Sequence, residues 1–122
     1  MDSFAPLRYT TLAAPSTAET RDRGSRFLAF AYPVRTPDEI KTRLKALRAE
    51  HPKATHHCYA WRLGTDGTLW RAVDDGEPAG SAGRPILAAL DSTSVTDALA
   101  VVVRYFGGTL LGVPGLVAAY RG

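Results

Sequence analysis

The stretch Ala98-Leu99-Ala100-Val101-Val102-Val103-Arg104-Tyr105 is nearly continuous apolar chain, broken soon after by Gly107-Gly108. A run of this length, rich in β-branched residues and closed by glycines, reads as the central strand of a sheet. Arg104 is the odd charge at its end. With 122 residues in all, the chain has room for one domain with one core around such a strand.

Other strands follow from alternation. Residues 26–34 place Leu28, Phe30, Tyr32 and Val34 on one side and Phe27, Ala29 and Ala31 on the other, so both faces are expected to be at least partly covered. Residues 55–63 set His56, Cys58 and Ala60 against Thr55, His57, Tyr59 and Trp61. The first of these faces is small and suits a helix lying over it. Gly64-Thr65-Asp66-Gly67-Thr68 is a turn, and residues 69–73 return as the second strand of a hairpin. Residues 7–13 alternate loosely and end at Pro15, which suggests a first strand, followed by a polar linker through Gly24. The domain itself is expected over residues 25–122.

Three helices complete the pattern. Thr36-Pro37-Asp38-Glu39 is a capping sequence with proline at the first helical position, and Ile40, Leu44 and Leu47 then form one apolar stripe that Pro52 ends. A short helix opens at Pro85 and runs to Asp91-Ser92, and Pro114-Gly115-Leu116 opens another. That last helix has run only two turns when the sequence stops at Gly122, so the domain is expected to be cut within it.

Between the hairpin and the second helix lies Asp74-Asp75-Gly76-Glu77-Pro78-Ala79-Gly80-Ser81-Ala82-Gly83-Arg84-Pro85-Ile86. Three carboxylates and three glycines leave few side chains to pack, so the segment acts through backbone and charge. Residues 1–53 hold ten Lys/Arg against six Asp/Glu, and the remainder five against six. A basic flank beside a mildly acidic site fits that split, and the net charge of +3 is too small to demand a nucleic-acid partner. Cys58 is the single cysteine, the opening residues are not those of a signal segment, and the apolar runs are too short to cross a bilayer. A reducing cytosol is the expected compartment.

Ala54-Thr55-His56-His57-Cys58-Tyr59-Ala60, the Asp74–Ile86 segment, and Val103-Arg104-Tyr105-Phe106-Gly107-Gly108 followed by Leu111-Gly112 form an ordered set. This set resembles the YigZ/IMPACT family over roughly residues 25–120. The resemblance implies an α+β domain: a two-layer mixed sheet with helices on one face, like the second domain of a small-subunit ribosomal protein. Eukaryotic relatives regulate translation under amino-acid starvation by binding a co-activator of the starvation-sensing kinase. For bacterial relatives, binding to nucleic acid or ribosomes is the usual suggestion, and a ferredoxin-like second domain normally follows. Leu111-Gly112-Val113-Pro114-Gly115-Leu116 stands where the family reads Leu-Gly-Thr-Gly-Gly-Leu, which restricts the backbone there.

The expected function is a non-enzymatic binding domain in translation or its stress regulation, contacting RNA, ribosome or a regulatory protein, with no cofactor, no metal and no membrane. The binding residues are His56, Asp74, Asp75, Glu77, Gly80, Gly83, Arg84, Arg104, Gly107 and Gly108: charge from the acids and arginines, close approach at the glycines. Tyr59 and Trp61, two apart on one strand face, can stack bases as sheet-borne aromatics do. The alternative is a metal-assisted hydrolase or transferase on a phosphoester, with His56 moving a proton and Asp75 and Glu77 as its carboxylates. The arrangement of these polar atoms in space separates the two readings.

Overall fold

The computed structural model describes residues 14–108 and 111–121. Its elements are β1 (Ser16–Asp22), β2 (Ser25–Pro33), α1 (Pro37–Glu50), β3 (His56–Leu63), β4 (Leu69–Val73), α2 (Gly83–Ser92), β5 (Ala98–Tyr105) and α3 (Gly112–Arg121). The strand proposed for residues 7–13 lies outside the described residues.

The strands form one five-stranded sheet in the order β1-β2-β5-β3-β4, with the apolar run β5 in the middle. The α+β class is as expected, but every strand pairing is antiparallel, so the sheet is not mixed. The helices also do not share one face. Leu99, Val101 and Val103 point to the side carrying Ile40 and Leu47 of α1. Ala98 and Val102 point to the side carrying Ile86 and Leu90 of α2 and Leu116 and Tyr120 of α3. A strand apolar on both sides needs cover on both, and the helices divide accordingly. The alanines of β2, β3 and β5 and Cys58 lie beneath α2 and α3, where small side chains let helix and sheet approach.

The stretch expected as a linker is β1. Arg23 and Gly24 take φ of +48° and +83°, the pair of positive values that a two-residue hairpin turn requires, and Asp22 and Ser25 close the register. β1 is an edge strand whose side chains are nearly all exposed, so its polarity hid it. Elsewhere local signals hold. Thr36 Oγ1 accepts from the Glu39 N–H at 3.2 Å, and α1 ends at Glu50 with His51 as its C-cap, before Pro52. α2 and α3 each start two residues earlier than their prolines suggest.

Candidate functional site

α2 begins without a cap of its own, because Ala82 occupies the N-cap position. The missing acceptor comes from the end of β4. Asp74 Oδ1 accepts from the N–H groups of Gly83 at 2.8 Å and Ala82 at 3.2 Å, and Oδ2 from Gly80 at 2.9 Å. Gly83 itself could carry no side chain, since a Cβ there would lie 2.5 Å from the Val73 nitrogen. Partial burial pulls the Asp74 carboxyl upward, but the amides of Gly80, Gly83 and Ala82 together outweigh it and hold the group below its ordinary value.

Asp74→Ala is therefore expected to cost about 1–2 kcal/mol, as loss of a helix cap does. The sign with pH follows from the depressed folded-state pKa. The stabilisation is present above about pH 4, the ordinary carboxylate range, and is lost as pH falls through the lower folded value. Urea unfolding should show a gap between wild type and Asp74→Ala at neutral pH that closes on acidification.

Asp75 is held at φ +46°, with its carboxylate turned to the other side of the sheet. Oδ2 accepts from the His57 N–H at 2.7 Å, and Oδ1 lies 3.8 Å from Arg48 of α1. Its carbonyl takes the Nδ1–H of His56 at 2.8 Å. His57, under α1, has its pKa lowered by burial first and by the Arg48 charge second.

Glu77 and Arg104 form the centre. Both side chains are 4% exposed, and Arg104 Nη1 donates to Glu77 Oε2 at 2.7 Å. The Tyr120 hydroxyl of α3 donates to the same oxygen, and His56 Nε2 sits 3.3 Å from Oε1. The rest of the guanidinium donates to Ser25 Oγ, from Nη2 at 3.2 Å and Nε at 3.4 Å, between the rings of Phe27 and Phe106. Ser25 Oγ also takes the N–H of Gly107. A single buried ion pair thus ties the acidic loop, β2, β3, β5 and α3 together.

Above this pair opens a cleft of about 450 Å³, with His56, Glu77 and Arg104 at its floor and Pro78, Phe106 and Leu116 on its walls. Three of the anticipated residues, from three separate motifs, meet there. Asp74 and Asp75 stand behind it as structural acceptors, and Gly107 packs against the β1–β2 turn. Gly80 and Gly108 are exposed, with open space where a side chain would be. Arg84 is elsewhere: it leaves the loop on the outer side of α2 and stacks over Trp70, 4.6 Å from the ring centroid. Tyr59 and Trp61 are half-buried on the α1 side of the sheet, away from the cleft, because the strand alternation that pairs them also opposes them to His56.

The three carboxylates do not converge on one point. Each serves a different partner, and among the described residues no three His, Cys, Asp or Glu side chains gather as metal ligands would. His56 and Glu77 meet, while the Asp75 carboxylate turns to His57 and Arg48 and only the Asp75 carbonyl reaches His56. Cys58 beneath the loop donates to the Asp74 carbonyl at 3.0 Å, and burial pushes its thiol up to about 12. Burial first, then Cys58 and Glu77 nearby, push the Tyr120 hydroxyl up as well. Neither group is an activated nucleophile.

Ser25 and Tyr120 are the participants that sequence reasoning missed. Ser25 sat at a presumed linker boundary and Tyr120 in the short last helical pattern. Only their partners across the fold reveal their roles.

Over residues 23–122 the sequence matches the family described as the Impact N-terminal domain. IMPACT family member YigZ of Escherichia coli (strain K12) is 46% identical over 112 residues, covering 90% of this chain and 55% of that protein. A solved structure of a hypothetical protein superposes with a TM-score of 0.90 at 45% identity, covering 93% of this chain and 56% of that one. The two-domain translational regulator Yih1 superposes with a TM-score of 0.57 at 28% identity, covering 95% and 48%. The chain spans about half the length of these relatives.

Proposed function

The chain belongs to the Impact N-terminal domain family, and from that premise we propose that its sheet and helices, β1 included, form a binding domain without catalytic activity that acts in translation or its stress regulation, in the cytosol. The observation that carries this reading is the likeness to the translational regulator Yih1 along nearly the whole chain. The site supports it in a second way. The polar groups under the cleft are engaged with one another, so what remains for a partner is the half-exposed Phe106, the edge of His56 and the apolar wall at Pro78 and Leu116. Such a surface recognises shape and an apolar side chain, with the buried ion pair fixing its geometry. The partner is a ribosomal component, an RNA or a regulatory protein of translation.

Affinity capture from a cell extract tests this. Wild-type protein is expected to retain ribosomal or translation-regulatory partners, and Phe106→Ala and His56→Ala to lose most of them. Nuclease treatment and rising salt separate an RNA-mediated contact, which weakens steeply with salt, from a protein-mediated one. Absence of translation components, or equal retention by the cleft variants, would overturn the proposal.

A further inference from the structure

β4 ends the sheet. Among the described residues no strand pairs with its outer side, so that row of backbone N–H and C=O groups is a template for another chain. Exposed edges are commonly blunted by proline, bulges or a covering element. Leu69-Trp70-Arg71-Ala72-Val73 has no proline, and α2 packs against one face only of the strand. Two of the three large hydrophobic residues exposed among the described residues lie on it, Leu69 at 63% and Trp70 at 42%. β1, at the other edge, presents Ser16, Thr17, Ala18 and Glu19 instead.

The indole of Trp70 is held in place without being buried. Arg84 stacks 4.6 Å from its centroid, and Arg62 lies 5.9 Å away. Arg62 is already committed to Asp91 at 2.7 Å and to the Gly67 carbonyl at 2.8 Å. Arg84 and Arg71 form no ion pair with a carboxylate among the described residues. The strip therefore offers unpaired backbone, an oriented aromatic and two uncompensated cations.

We propose that the outer edge of β4 is a docking site for an extended, acidic segment of a partner polypeptide, which adds to the sheet beside Trp70 as a further strand. Main-chain hydrogen bonds supply affinity, and carboxylates meeting Arg71 and Arg84 supply selectivity. A second copy of this chain fits poorly. Antiparallel self-pairing centred on Arg71 sets that arginine against its own copy, and like charges directly opposite destabilise a pair of strands. The inference uses a surface separate from the cleft and stands apart from the function proposed there.

Arg71 and the Trp70–Arg84 stack lie on opposite faces of β4, so the test is amide hydrogen exchange by NMR on the protein with a synthetic peptide repeating Val-Glu-Glu, which sets carboxylates on both faces, against a control repeating Val-Lys-Lys. The acidic peptide is expected to slow exchange within residues 69–73 and to shift the Trp70 indole resonance, and the lysine peptide to do neither. Arg71→Glu/Arg84→Glu should weaken binding about tenfold or more, as should Trp70→Ala, with β5 exchange unchanged as the check on folding. The proposal is overturned if β4 gains no protection, if both peptides protect equally, or if the charge-reversed variant keeps its affinity. It is equally overturned if protection grows with protein concentration in the absence of peptide, or if a single-stranded oligouridylate gives the protection that the acidic peptide does not.

Discussion

Arg104→Met is expected to destabilise the fold by about 3–5 kcal/mol, the usual consequence of leaving one partner of a buried ion pair uncompensated. The residue is 3% exposed, and its removal leaves Glu77, itself 8% exposed, with the Tyr120 hydroxyl as its remaining side-chain donor. Ser25 Oγ loses two of its three donors in the same step. Arg84→Met supplies the contrast. That arginine is exposed and rests on Trp70, so its loss should stay within about 0.5 kcal/mol. Urea unfolding midpoints at constant slope measure both.

Gly107→Ala is expected to cost about 3 kcal/mol or more, at the upper end of overpacking effects. A Cβ at residue 107 would stand 2.1 Å from the Gly24 carbonyl carbon and 2.2 Å from its oxygen, distances at which backbone must move. The β1–β2 turn lies against the end of β5 there, so lifting it also draws Ser25 away from Arg104. Gly108→Ala meets nothing within 4 Å and carries only the strain of φ +86°, about 1–2 kcal/mol. The larger loss at residue 107, with faster amide exchange along β1 and β2, distinguishes close packing from conformational preference alone.

Much of this was legible from local chemistry. The continuous apolar run of β5 implied a central strand, the Thr36–Glu39 cap located α1, and alternation separated His56 from Tyr59 and Trp61. Taken seriously, the two apolar faces of β5 also argue against placing all helices on one side. What stayed hidden is what only the closed fold creates. Asp74 caps a helix that starts nine residues later, and no short-range pattern announces that. Ser25 and Tyr120 reach the ion pair from far along the chain. Arg84 carries the same charge as Arg104 within the motif set, yet at the start of α2 it stacks over Trp70 of β4, away from the ion pair.

Glu77 and Arg104, brought together from separate motifs, act as one buried unit beneath the cleft. A double-mutant cycle on Glu77→Leu and Arg104→Met measures this directly. The double variant is expected to be more stable than Arg104→Met alone, with a coupling energy of about 2 kcal/mol. Costs that add within about 0.5 kcal/mol would mean that the two residues do not act together, and would contradict it.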